Sequence, residues 1–220
     1  MIEQIDNARP LAGQPAFVLG NSPRLLAEQL WRLDAFLTVG VNRICRVYDP
    51  TVLIWVDASV GEEIAPLLPT RKCLRLCPES MCTSAGAIGL DFRAGSRRLS
   101  RTPRELHCDG NTGVAAAGWV LSLGCRPVYL LGMDARYRAG ATDFYGVNPH
   151  HRDGTLQVMR HALQWLQAVA TDDVVGVHGE RQLIDIVRRL APLARCREWY
   201  ERRILSALKG DALCPKSSTT

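Results

Sequence analysis

No apolar run in the chain approaches the roughly 20 residues that a membrane-spanning helix requires. The opening residues, Met1-Ile2-Glu3-Gln4-Ile5-Asp6, lack the basic-then-apolar layout of a secretion signal. Two familiar phosphate-cradling signatures, GxGxxG and GxxxxGK[ST], are missing as well, which tells against an ordinary NAD dehydrogenase and a P-loop NTPase. Zinc-ribbon spacing is also lacking. The eight cysteines (45, 73, 77, 82, 108, 125, 196 and 214) are scattered, and the close set Cys73, Cys77 and Cys82 has gaps of three and four residues. The expectation is a cytoplasmic protein with reduced thiols, no membrane span and no cysteine-held metal.

What is present suits one well-buried globular unit: 220 residues, 47% hydrophobic and 22% charged. The net charge of +5 is uneven. Arg93, Arg97, Arg98, Arg101 and Arg104 cluster mid-chain, and Arg188, Arg189, Arg195, Arg197, Arg202 and Arg203 gather near the end. Such charge favours anionic ligands, from a nucleotide to nucleic acid. Solvated helix faces are the better account of the second group.

The stretch from Pro15 to Leu26 organises the rest. Ala16 to Leu19 reads as a short buried strand, Gly20 permits a sharp turn, and a helix is expected over 23–33. Asn21 or Ser22 would cap that helix, with Pro23 in its first turn. Free backbone N–H groups at that turn would face an anion. Further strands are expected at 35–39, 51–56, 72–76, 127–131 and 174–177, and helices at 60–67, 114–123, 156–169, 183–190 and 195–208. Residues 78–110 show little periodicity and are expected to form an irregular, lid-like insertion. Residues 135–153 form a second irregular segment. The domain reading is a single unit over 1–210 with a flexible tail at 211–220.

Strands alternate with helices and read as near-continuous apolar runs, without an in-and-out alternation. Both features indicate a mainly parallel sheet covered on both faces, whose ligands bind beyond the carboxyl ends of the strands. Those ends carry Gly20-Asn21-Ser22, Asn42-Arg43, Asp57, Asn111-Thr112-Gly113 at a helix start, Asp134 and His178.

On Gly20-Asn21-Ser22-Pro23, Asn42, Asn111-Thr112-Gly113 and Leu130-Leu131-Gly132-Met133-Asp134, the chain resembles two related groups of Rossmann-like transferases. One is the bacterial sialyltransferases, and the other is the 6-hydroxymethylpterin diphosphokinase-like proteins. The first likeness implies a glycosyltransferase with a nucleotide-activated donor. Gly20, Asn21 and Ser22 would hold the phosphate, Asn42 the nucleotide, and Thr112 and Gly113 the leaving group. Tyr137 and Tyr145 would donate to that phosphate, and His150 or His151 would act as general base. Asp57 stands where that family tends to place asparagine. The second likeness implies ATP-dependent diphosphate transfer, with Mg²⁺ held by Asp57 and Asp134. No cofactor is required under the first reading.

Each residue also has a plainer role. Asn21, Ser22 and Asp134 can act as caps, Asn42 as turn chemistry, and His178 as a structural hydrogen-bonding group. A third reading is a nucleotide- or nucleic-acid-binding module without catalysis, in which the arginines of 93–104 track phosphates. The acceptor stays open among a small molecule, a glycan and modified DNA, and a homo-oligomer is compatible with all three readings.

Overall fold

The structure is a computed structural model that describes residues 9–23, 25, 27–82, 86–135, 143 and 154–210. Its eight strands are β1 (Ala16–Leu19), β2 (Leu37–Val41), β3 (Val52–Ile54), β4 (Leu74–Pro78), β5 (Ile88–Ala94), β6 (Glu105–Cys108), β7 (Val128–Leu131) and β8 (Val174–Val177). They form one open sheet in the order β6-β5-β4-β3-β2-β1-β7-β8. Every pairing is parallel, with Ala16 opposite Leu37 on one side and Val128 on the other. The helices are α1 (Ala58–Ile64), α2 (Thr112–Ser122), α3 (Thr155–Val169), α4 (Glu180–Leu190) and α5 (Arg197–Gly210). This is a Rossmann-like α/β architecture.

Alternate residues of each central strand serve opposite cores, the pattern of a sheet buried on both faces. Ala16, Val18, Val39 and Leu130 pack with α2, α3 and α5. Phe17, Leu19, Leu53 and Leu131 pack on the other face with α1 and α4. Small residues along Val114-Ala115-Ala116-Ala117-Gly118 let α2 lie against the sheet with every residue buried. Gly124, at φ 88°, ends that helix in the left-handed conformation that glycine adopts without a Cβ penalty.

Two expectations need correcting. Residues 78–110 are not irregular, because β5 and β6 lie there and extend the sheet on its far side. The segment is built into the sheet edge rather than laid over it. Its arginines are also partly neutralised: Arg93 pairs with Asp91 at 2.7 Å, Arg97 with Asp109 at 2.5 Å, and Arg104 donates to the Leu208 carbonyl at 2.8 Å. Secondly, no α-helix begins at Pro23. The chain enters a 3-10 helix at Ala27–Leu33, so Asn21 and Ser22 do not cap a helix after β1. Proline at 23 disfavours the helical conformation for Ser22, and Ser22 spends its backbone N–H across the sheet on the Gly132 carbonyl at 3.0 Å.

Of the C-terminal arginines, Arg197 and Arg203 do more than solvate a face. Arg197 reaches Asp49 at 3.2 Å, and Arg203 donates to the Pro10 carbonyl at 2.9 Å while stacking over Trp199. No helix among the described residues is long and apolar enough to cross a membrane. The tail at 211–220 lies outside the described residues.

Candidate functional site

The chain runs outward from β1 through β6, then crosses over α2 to β7 on the other side of β1. The direction of winding therefore reverses between β1 and β7, the place where open α/β sheets leave a crevice beyond their strand ends. A cavity of about 320 Å³ lies there, at the lower end of the size range of small-molecule sites.

The exits of β1 and β7 are tied together so closely that only glycine fits at position 20. A Cβ on Gly20 would lie 2.4 Å from the Gly132 carbonyl oxygen and 2.6 Å from Met133 Cγ. The Gly20 N–H donates to the Leu131 carbonyl at 2.8 Å, and the Ser22 hydroxyl donates to Asp134 Oδ1. These bonds correct the expectation of free N–H groups at this turn, since those of Gly20 and Ser22 are spent inside the fold.

The open donors lie instead at the start of α2. Asn111 caps it, its side chain accepting from the Val114 N–H at 3.1 Å. As the first two residues of a helix, Thr112 and Gly113 have N–H groups with no intrahelical acceptor, and they sit on the cavity wall. The positive end of the helix dipole is there too. Gly113 leaves room for Met133, whose Cε would lie 2.5 Å from a Cβ at that position.

Across the cavity, Asn42 follows the last residue of β2 at φ 52°. The far wall continues into Asp57, which precedes α1 and makes no capping bond. Among the described residues, the two non-glycine positions with positive φ are Asn42 and Ala135, and both line this cavity. Backbone in sparsely populated conformations concentrates at sites of function. The carboxamide oxygens of Asn21 and Asn42 are buried without a hydrogen-bond partner, a state that costs free energy unless something fills it. Arg43 is buried on the wall as well, its guanidinium held by Glu63 from α1 at 2.7 Å.

Gly20, Asn21, Ser22, Asn42, Asp57, Asn111, Thr112 and Gly113 thus come together as the strand-end rule anticipates. Asp134 and His178 line a second cavity beside β7 and β8, with Met133 and Ala135 shared between the two. Tyr137, Tyr145, His150 and His151 lie outside the described residues. Arg43, which the strand-end rule also gathers, lines the same cavity, whereas sequence reasoning missed Met133 and the α3 residues Thr155 and Met159 as cavity residues. Among the described residues no three metal-ligating side chains meet, and Asp57 and Asp134 line different cavities. Burial pushes the Cys108 thiol up to about 11.

Fold and site define an open, parallel α/β protein with a ligand-sized crevice at its winding reversal. No family model matches the chain, and no curated protein matches it. Among solved structures it is similar to the sialyltransferase CstII from Campylobacter jejuni in complex with cytidine-5'-monophosphate. That likeness has 12% identity and a TM-score of 0.45, over 75% of this chain and 80% of that one. A second CstII structure, with CMP-3FNeuAc, has 11% identity and a TM-score of 0.41, over 84% and 86%. Likeness at this level does not carry activity from one protein to the other.

Proposed function

We propose that the chain is a transferase that binds a nucleotide-activated donor in the 320 Å³ cavity and moves a sugar to an acceptor hydroxyl. The observation that carries this reading is the pairing, across one crevice, of a capped helix start with two unsatisfied carboxamide oxygens. The N–H groups of Thr112 and Gly113 suit a phosphate, and Asn21 and Asn42 suit the hydroxyl and N–H donors of a nucleoside. When the bond from the sugar to phosphate oxygen breaks, negative charge grows on the phosphate, where helix-start donors stabilise it. Tyr137 and Tyr145 add hydroxyl donors. His150 or His151 takes the proton that the acceptor hydroxyl gives up as its oxygen bonds to the sugar.

Thermal melts with CMP, UDP, GDP and ATP, each with and without Mg²⁺, test the reading. One free or sugar-linked nucleotide class is expected to raise the midpoint without Mg²⁺. At a hundredfold excess over Kd the stabilisation is about 2.7 kcal/mol, or roughly 5–11 °C for a chain of this length. A response to ATP alone that requires Mg²⁺ would replace this reading with diphosphate transfer. In the protein carrying both His150→Ala and His151→Ala, donor turnover is expected to fall roughly 100-fold with the nucleotide-induced shift intact. Undiminished turnover would remove the histidines from the chemistry.

A further inference from the structure

Seven cysteines fall among the described residues and all are free. One pair of them has its sulfurs in contact: Cys77 Sγ and Cys82 Sγ stand 4.0 Å apart. Cys77 is fully buried near the end of β4, and Cys82 follows the single 3-10 turn Glu79–Met81 and is partly exposed. The neighbouring strand leaves space for the second sulfur. A Cβ on Gly89 of β5 would lie 2.6 Å from Cys82 Sγ, so glycine there is what admits the thiol.

We infer that Cys77 and Cys82 are a reversible oxidation site that closes to a disulfide when the protein meets a hydroperoxide. Exposure sets the order of events. The Cys82 thiolate is the one reached from solvent, and its sulfur attacks the peroxide oxygen. The O–O bond breaks, the hydroxyl oxygen stays on Cys82 as a sulfenic acid, and the alkoxide (hydroxide, for hydrogen peroxide) leaves and takes a proton from water. Cys77 sulfur then attacks Cys82 sulfur. The S–O bond breaks, and the departing hydroxide takes the Cys77 proton to leave as water. The two thiols are oxidised by two electrons in total and one peroxide is reduced. Bond formation needs the sulfurs about 2 Å closer than they now stand, to reach the disulfide length of about 2.05 Å. Rotation of the Cys82 side chain, on a short turn, can supply that approach.

The other described thiols lack this arrangement. Cys45, Cys73, Cys108 and Cys125 are buried with their thiols raised by that burial, and none has a described sulfur in contact. Cys196 is exposed, with no sulfur in contact among the described residues. Burial likewise raises Cys77, to about 12, so what sets Cys77 apart from the other buried thiols is its contact with the Cys82 sulfur. The disulfide would join the end of β4 to the turn that leads towards β5.

Both cysteines fall in one tryptic peptide, Leu76–Arg93, so peptide mass reads the reaction directly. The full chain is reduced, freed of reductant, exposed to a few equivalents of hydrogen peroxide, denatured and alkylated with N-ethylmaleimide. Most of that peptide is expected to lose two hydrogens and take up no maleimide, and dithiothreitol should restore two alkylation sites. With Cys77→Ser, Cys82 is expected to stop at a sulfenic acid that dimedone traps. Two maleimides on the wild-type peptide after peroxide would overturn the inference. So would Cys82 carried to sulfinic acid with Cys77 still free. The wild-type measurement decides the matter even if the variant does not fold.

Discussion

Gly20→Ala is expected to lower the stability of the folded chain by about 3 kcal/mol and to abolish any nucleotide-induced rise in melting temperature. The added methyl would stand 2.4 Å from the Gly132 carbonyl oxygen. Backbone, unlike the far end of a flexible side chain, cannot step aside cheaply. The strands on either side are also fixed, because Gly20 N–H, Ser22 N–H and the Ser22 hydroxyl all bond across to the β7 exit. Relief therefore means separating β1 from β7 at the place where the cavity opens. At this chain length the loss corresponds to a fall in melting midpoint of roughly 6–12 °C. Gly179→Ala is the control: nothing lies within 4 Å of a Cβ there, and φ is −159°, which any residue adopts. Its effect should stay under about 1 kcal/mol, the scale of exchanging glycine for alanine at a helix cap. Melts of the two variants beside the parent check the claim. Equal midpoints for Gly20→Ala and Gly179→Ala would mean that the two strand exits are not held together as described.

The elements legible in the sequence are those whose local signals agree with their tertiary role. β1, β3 and β7 are apolar runs bounded by turn residues, and all are buried on both faces. α2 announces itself through the Asn111 cap and Gly124. β5 was missed because it lies towards the sheet edge, where Leu90 alone among its seven residues is buried and charged residues occupy Asp91 and Arg93. A strand with so little apolar content looks like loop until its neighbour β4 supplies the hydrogen bonds. The segment after Pro23 failed for the opposite reason: Leu25, Leu30 and Leu33 do face the core, but helix periodicity does not reveal that the first residues pair with Gly132. In the site, polar residues at strand ends were readable from the general rule for wound sheets. Met133 was not, since an apolar side chain that walls a cavity has the same sequence signature as one in the core.

Trp119→Ala tests the other support of the cavity, the seating of α2. Trp119 is fully buried two turns beyond the helix start, and its indole N–H donates to the Pro103 carbonyl at 2.7 Å. Pro103 lies in the connection between β5 and β6, so this bond ties the crossing helix to the outer part of the sheet. Removing a buried tryptophan side chain costs about 3–5 kcal/mol through lost transfer energy and the cavity left behind. The melting midpoint is then expected to fall by roughly 6–20 °C. Trp119→Phe separates the two contributions: it keeps most of the apolar contact and leaves the Pro103 carbonyl without its donor, a loss of about 1–3 kcal/mol. Urea denaturation of the three proteins should therefore rank them parent, phenylalanine, alanine, with similar slopes against denaturant. If phenylalanine proves as damaging as alanine, the hydrogen bond to Pro103 rather than the packed ring holds the helix. If neither differs from the parent, α2 is seated by its small residues against the sheet, and the connection to β6 contributes nothing to the position of Thr112 and Gly113.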